Sequence, residues 1–172
     1  MAIYRLGRRV PAIHETAYVH PDAVVIGDVT LGPETSVWPC AVLRGDYGRI
    51  TVGARTSVQD GVVIHATSEL DTVVGDGVVI GHLAHLEGCV VADGALIGVG
   101  SVVLHRVHVG EGASVAANAV VLEGTDVPAL ALAAGVPAVV KPGKSRPDYA
   151  RGGAALYVAN GRRYPDELER IG

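Results

Sequence analysis

Residues 91–127 read VADGALIGVGSVVLHRVHVGEGASVAANAVVLEGTDV, and this stretch decides the fold. An aliphatic residue recurs at every sixth position through it without interruption: Val91, Ile97, Val103, Val109, Val115, Val121 and Val127. Neither the alternation of a half-buried strand nor the roughly 3.6-residue period of a helix produces this spacing. A short fixed period indicates a repeat architecture in which each unit is completed by its neighbours.

The same six-residue spacing continues towards the start of the chain, with two interruptions. Its aliphatic positions there are Ile13, Val19, Val25, Leu31, Val37 and Leu43, then Val52, Val58 and Ile64, then Val74, Ile80 and Leu86. The fifth position of each hexad is small or β-branched, as in Ala41, Val62, Ala84 and Ala95. This pattern predicts an all-β solenoid, a triangular parallel β-helix with three hexads per coil. The interruptions, at residues 46–51 and 66–71, predict loops, which tend to carry functional residues.

The composition bounds what the chain can be. It has 172 residues, of which 49% are hydrophobic and 19% charged, so one folded domain is expected and intrinsic disorder is excluded. No apolar run approaches the roughly 20 residues of a membrane span, and the first residues show no signal-peptide pattern. The net charge of −4 disfavours a nucleic-acid partner. Two cysteines, Cys40 and Cys89, cannot form a disulfide scaffold, so reduced thiols and a cytoplasmic location are expected.

Four short strings carry a closer resemblance. They are LRGD at residues 43–46, VQDGVVIH at residues 58–65, IGH at residues 80–82 and GC at residues 88–89. Together they resemble the gamma-class carbonic anhydrases within the hexapeptide-repeat family, and the repeat covers about three quarters of the chain. The left-handed sense of the expected β-helix follows from this resemblance alone.

The expected organisation is a β-helix domain over residues 1–143 and a C-terminal helical tail over residues 144–172 that packs on it. Within the tail, the sequence predicts a helix from about residue 148 to residue 160. A second, shorter helix is predicted to start at Pro165, since proline suits a first helical position. Gly152 and Gly153 weigh against the first helix.

The resemblance implies a homotrimer with a zinc ion at each subunit interface, where iron or cobalt can substitute for zinc. Three histidines bind the ion in that family, and they match His65, His82 and the position of Glu87. The hexad register itself predicts that Arg44, His65 and Glu87 stack at outward positions on one face. His82 falls above Asp60 at a different edge, so His65 and His82 are expected to meet only across a three-fold interface.

Glu87 leaves three alternatives open. Zinc accepts two imidazoles and a carboxylate, so Glu87 can be the third ligand. His85 is the alternative third ligand, although its hexad position predicts that it lies beyond the turn from the stack. In the third alternative Glu87 only pairs with Arg44 or His65, and no metal is bound. The other histidines, His14, His20, His105 and His108, are interpreted as surface or core residues, and Cys89 as a small buried residue.

Further roles follow from the resemblance. Arg44 and Asp46 match an intersubunit ion pair. Gln59 matches a residue that orients the metal-bound hydroxide, and Asp60 one that braces the interface. Tyr157 matches a tyrosine near the site and is a second candidate catalytic residue. The two acidic residues that assist proton transfer in that family fall instead at Tyr47 and Ser68, which predicts slow hydration of carbon dioxide or none.

Three functions are compatible with these residues. The first is a zinc-dependent lyase of the carbonic anhydrase type, in which metal-bound hydroxide attacks carbon dioxide to give bicarbonate. The second is a metal-dependent acyl-thioester hydrolase, or a hexapeptide acyltransferase that uses a catalytic histidine and acyl-coenzyme A. The third is a non-catalytic trimeric scaffold that has lost a metal ligand, with Glu87 as its mark.

Overall fold

The structure, a computed structural model, describes residues 2–172. Within these residues there are twenty short strands followed by one helix. The strands are β1 (Ala2–Tyr4), β2 (Ala12–Ile13), β3 (Tyr18–Val19), β4 (Val24–Leu31), β5 (Ser36–Val37), β6 (Val42–Val52), β7 (Ser57–Val58), β8 (Val63–His65), β9 (Thr72–Val74), β10 (Val79–Ile80), β11 (His85–Glu87), β12 (Val90–Val91), β13 (Leu96–Ile97), β14 (Val102–Val103), β15 (His108–Val109), β16 (Ser114–Val115), β17 (Val120–Val121), β18 (Asp126–Val127), β19 (Leu132–Gly135) and β20 (Ala138–Lys141). The helix is α1 (Pro147–Glu167).

The strands form the three faces of a triangular prism. Face 1 contains β1, the first halves of β4 and β6, and then β8, β11, β14 and β17. Face 2 contains β2, the second halves of β4 and β6, and then β9, β12, β15 and β18. Face 3 stacks β3, β5, β7, β10, β13, β16 and β19 in parallel, and β20 closes it in the antiparallel sense. The predicted parallel β-helix is therefore confirmed, with about seven coils.

The hexad aliphatics fill the narrow interior of the prism. On face 1 the register places Leu43, Ile64, Leu86 and Val103 directly above one another, and all four are fully buried. Small residues at the fifth hexad position, such as Ala41, Val62 and Ala84, are also fully buried. One large and one small side chain per hexad thus fill the interior, and each neighbouring residue points outward.

The helix α1 is continuous from Pro147 to Glu167, so the prediction of two helices is wrong. Glycine is tolerated inside it because the helix lies close to face 3: a Cβ at Gly153 would stand 3.2 Å from Val79, and one at Gly161 would stand 3.3 Å from Tyr18. Pro165 lies in the last turn, where few helical hydrogen bonds remain to be lost.

Aromatic side chains attach α1 to face 3. The indole of Trp38 lies 5.2 Å from the ring of Tyr157 and 4.9 Å from that of Tyr164, and Tyr18 lies 5.3 Å from the same indole. Such pairs are stabilising beyond the area they bury. No helix among residues 2–172 has the length and apolar character needed to cross a membrane.

Candidate functional site

The edge between faces 3 and 1 carries an imidazole paired with a carboxylate. His82 follows β10, and Leu83 after it adopts a left-handed conformation with φ of 61°, which turns the chain onto face 1. The Nδ1 atom of His82 lies 2.8 Å from Oδ2 of Asp60, one coil below. A carboxylate in this position fixes the ring, and within residues 2–172 the other nitrogen, Nε2, has no hydrogen-bond partner.

Gln59 supports this pair from below. Its side chain is buried, and its Oε1 accepts a hydrogen bond of 3.2 Å from the backbone N–H of His82. Because the carbonyl end is engaged, the amide NH₂ of Gln59 remains available as a donor. The stacking of Asp60 below His82 that the hexads predict is thus present in the structure, with Gln59 beside the pair.

A cleft of about 900 Å³ opens beside His82, between face 3, α1 and the segment after β20. Gln59, His82 and Tyr157 line one end of it. Its other walls are mostly apolar, and its rim carries three cations: Val79, Leu96, Ile97, Val99, Val115 and Leu132 for the walls, and Lys141, Lys144 and Arg146 for the rim. A concave apolar surface with a few converging polar groups is typical of a small-molecule site.

Tyr157 contributes a hydroxyl to this cleft. Burial raises its pKa, and the nearby Asp60 and Tyr164 raise it further. The hydroxyl is therefore protonated at neutral pH and can donate a hydrogen bond. Sequence reasoning placed Tyr157 near the site, and the structure brings it to the His82 edge.

The edge between faces 1 and 2 carries a second cluster, centred on Glu87. The register stacks Arg44, His65 and Glu87 on successive coils, as the hexads predict. Asp46 forms an ion pair with Arg44 in the same chain, and its Oδ1 lies 2.9 Å from Nε2 of His65. The Nδ1 atom of His65 lies 2.6 Å from Oε1 of Glu87. Both ring nitrogens of His65 therefore face carboxylates.

Two further imidazoles reach Glu87. His85 belongs to the same strand as Glu87, and its Nε2 lies 3.6 Å from Oε2, so the interpretation that His85 lies beyond the turn is wrong. His105 lies one coil above, with its Nε2 3.5 Å from the same oxygen. Sequence reasoning treated His105 as a surface or core residue. The signal that could have found it is the register of the next coil, which continues from Leu86 paired with Val103 and brings His105 beside Gly88, the neighbour of Glu87.

The two carboxylates of this cluster are stabilised in their charged form. Burial acts to raise the pKa of Asp46, but hydrogen bonds from His65 and Arg44 outweigh it and hold that pKa below its usual value. Burial also acts to raise the pKa of Glu87, and the hydrogen bond from His65 with the neighbouring His105 and His85 holds it below its usual value. Cys89 differs, because burial raises the pKa of its thiol to about 12, so it is not a nucleophile at neutral pH.

The metal donors expected from the resemblance do not come together in one chain. His82 lies at one edge of face 1, and His65 and Glu87 lie at the other edge. Among residues 2–172, no group of three or more His, Cys, Asp or Glu side chains is arranged to hold a metal ion. Both nitrogens of His65 and both oxygens of Glu87 already have partners. The residues present therefore do not fit a formed zinc site within a single chain.

No model of a known protein family matches this chain. Among solved structures, a hexapeptide transferase family protein from Anaplasma phagocytophilum is 34% identical with a TM-score of 0.90, and the match covers 95% of this chain and 98% of that one. The chain belongs to the hexapeptide transferase family. A candidate acetyltransferase from Bacillus cereus is similar too, at 31% identity and a TM-score of 0.93 over 97% of this chain and 98% of that one.

Membership of the hexapeptide transferase family establishes the fold class of this chain. The left-handed β-helix of hexapeptide repeats with a C-terminal helix is confirmed, and so is the resemblance to hexapeptide-repeat proteins. The carnitine operon protein CaiE of Escherichia coli K12 is 44% identical over 124 residues, or 72% of this chain. That match spans 63% of the CaiE length, so the chain matches less than two thirds of this relative.

Proposed function

We propose that this protein transfers acyl groups from acyl thioesters at the cleft beside His82. The observation that carries the proposal is the His82–Asp60 pair, whose nitrogen and oxygen are 2.8 Å apart at the mouth of a cleft of about 900 Å³. An imidazole held by a carboxylate through one nitrogen is suited to general base catalysis through the other. The family of the chain, named for transferases, supports the same reaction class.

The reaction follows from the free Nε2 of His82. This nitrogen removes the proton of an acceptor hydroxyl or amine, or of water in the hydrolytic case. The acceptor oxygen or nitrogen forms a bond to the thioester carbonyl carbon, and the carbon–sulfur bond then breaks. The thiolate leaves and takes the proton from the imidazolium of His82. Asp60 stabilises that imidazolium while it exists.

Two hydrogen-bond donors can stabilise the negative charge that develops on the thioester carbonyl oxygen. The amide NH₂ of Gln59 is fixed because its carbonyl end holds the His82 backbone. The hydroxyl of Tyr157, protonated at neutral pH, lines the same cleft. Preorganised donors of this kind are worth roughly 10²- to 10³-fold in rate when one is removed.

The rim of the cleft favours an anionic carrier for the acyl group. Lys141 ends β20, and Lys144 and Arg146 follow it before α1, on a protein whose net charge is −4. Phosphate groups bind to such clustered cations, while the apolar walls suit a pantetheine-like arm and an acyl chain. An acyl-coenzyme A is the thioester that combines these properties.

The outward side of face 1 supports a homotrimer. Its exposed or half-buried side chains are mostly aliphatic: Val24, Ile26, Val42, Val63, Val102, Leu104, Val120 and Leu122. A contiguous apolar face of this kind is typical of a subunit interface. Three-fold packing joins one edge of this face to the other edge of a neighbour, because a cyclic trimer uses two different patches. The His82 cleft would then lie beside the Glu87 cluster of the next subunit.

Hydration of carbon dioxide at a zinc, iron or cobalt ion is the second candidate function. What favours it is the position of the donors, with His82 at one edge of face 1 and His65 with Glu87 at the other, as an interfacial site requires. Against it stands the single-chain geometry, in which His65 and Glu87 are engaged with each other.

Thiol release from acyl-coenzyme A, measured before and after exhaustive chelation, tests the proposal. The matched variants are His82→Asn and His108→Asn, because His108 forms a similar pair with Asp126, 2.9 Å apart, on exposed face 2. We expect activity that survives chelation, is lost in His82→Asn and persists in His108→Asn. Carbon dioxide hydration that requires metal would favour the second candidate instead. Inactivity towards both substrates would favour a scaffold.

A further inference from the structure

Glu87 is the centre of three imidazoles. Its Oε1 contacts Nδ1 of His65, and its Oε2 faces Nε2 of His85 and Nε2 of His105, at 2.6, 3.6 and 3.5 Å. We propose that the Glu87 carboxylate takes the place that a metal ion would need at this edge, so that the cluster is held together without metal. Glu87 is then the residue that determines whether this edge binds a metal ion.

This inference rests on the sign of the charge at the centre of the cluster, which is negative for a carboxylate and positive for a metal ion. A carboxylate accepts hydrogen bonds, so it draws the N–H groups of surrounding imidazoles towards itself. A cation does the opposite, because it binds the nitrogen lone pairs of neutral rings. Because an ionised carboxylate only accepts, we infer that Nδ1 of His65 is the donor in its 2.6 Å contact with Glu87. A metal ion at this position would instead need a lone pair on that nitrogen.

The rest of the cluster keeps His65 in this state. Its other nitrogen, Nε2, lies 2.9 Å from Asp46, and Asp46 is itself paired with Arg44. Freeing His65 for a metal therefore requires both of its carboxylate contacts to break. The exposed fractions of the His65 and Glu87 side chains are 14% and 23%, so water replaces these contacts poorly.

The position of His105 shows which groups would surround a different side chain at position 87. Its Nε2 atom is buried and has no hydrogen-bond partner among residues 2–172, because its approach to Glu87 lacks hydrogen-bond geometry. A neutral side chain in place of Glu87 would leave His65, His85 and His105 around one position with no anion to hold them. Three imidazoles converging on one place are a donor set that zinc prefers.

Zinc binding to the full-length protein tests this inference, measured by elemental analysis after dialysis and by competition with a chromogenic chelator. The variants are Glu87→His and Glu87→Gln, and the control is Glu111→His, which adds a histidine on exposed coil surface. We expect the unsubstituted protein and Glu111→His to retain no zinc. Glu87→His is expected to retain about one zinc ion per chain, with a higher melting temperature in zinc than in chelator.

Glu87→Gln keeps the size of the side chain and removes its charge, so it serves if Glu87→His does not fold. It is expected to bind zinc more tightly than the unsubstituted protein does. Long-range ¹H–¹⁵N spectra of the imidazoles give a second readout, with His65 expected to carry a proton on Nδ1 in the unsubstituted protein. Zinc in the unsubstituted protein that disappears in His82→Ala would overturn the inference, as would no gain of zinc in either Glu87 variant. Neither result depends on acyl-thioester activity, because the readouts are bound zinc and the protonation of the imidazoles.

Discussion

Face 1 has a histidine at each of its two edges, and the two are in opposite situations. His82 has one carboxylate partner, Asp60, and its second nitrogen opens on a cleft. His65 has two carboxylate partners, Asp46 and Glu87, and neither nitrogen is free. The exposed fraction of the His82 side chain is 44%, against 14% for His65.

This comparison separates a histidine suited to chemistry from one suited to structure. Proton transfer needs a nitrogen whose partner can change, which His82 has. A histidine bridging two carboxylates is worth more to stability, because removing either partner leaves a poorly solvated group unpaired. Substitutions at each of the two edges test this division.

Replacing His82 should have the largest effect. In His82→Asn the general base is lost, so we expect the rate of thiol release to fall roughly 10²- to 10⁴-fold. The melting temperature should change little, because the side chain is half exposed. A loss of similar size in His65→Asn, with unchanged stability, would contradict the division between the edges.

Replacing Asp60 should have an intermediate effect. In Asp60→Asn the side chain still fills the position, but it can no longer stabilise the imidazolium of His82, so we expect a roughly ten- to hundredfold lower rate. The equivalent change on face 2, Asp126→Asn, removes the partner of His108 and should leave the rate unchanged. Equal losses in both variants would show that the effect is not local to the cleft.

Replacing Glu87 by glutamine should affect stability rather than rate. The three imidazoles around it lose their anionic partner, and we expect the free energy of unfolding to fall by about 1 to 3 kcal/mol in urea. Thiol release per folded molecule should stay near the unsubstituted value. A rate loss as large as that of His82→Asn would show that Glu87 takes part in the reaction, and would contradict the division of roles between the two edges.

The same edge should make stability depend on acid. The pKa of Glu87 is lower in the folded protein than its ordinary value of 4.5, so the folded state binds this proton less readily than the unfolded state. The stabilisation is therefore fully present above about pH 4.5 and is lost as the pH falls through the lower folded value. Urea unfolding between pH 6 and pH 3 should show a shallower decline in Glu87→Gln than in the unsubstituted protein.

The fold was accessible to sequence reasoning because the hexad is a strict local rule. Each coil repeats the same inward positions, so the alignment of Leu43, Ile64 and Leu86 follows from counting. The same counting placed Glu87 over His65 and His82 over Asp60. Outward stacking is a direct consequence of register, and it needs no knowledge of side-chain conformation.

Counting missed how far outward side chains reach along and across the coils. His85 lies two residues before Glu87 on the same strand, and His105 lies one coil above, so both imidazoles approach the same carboxylate. The continuous helix was missed for another reason. Glycine lowers helix propensity in isolation, but at Gly153 and Gly161 it allows α1 to approach face 3, and that packing outweighs the propensity.

The helix α1 also changes how the solenoid should come apart. A stack of coils that touch only their neighbours can fray from either end, one coil at a time. However, α1 packs on β3, β5, β7, β10 and β13, so a single element binds five successive coils of face 3. Opening any one of these coils therefore also requires its contacts with the helix to break. Because the helix links the five coils, amides from β3 to β13 should exchange with solvent as one cooperative unit.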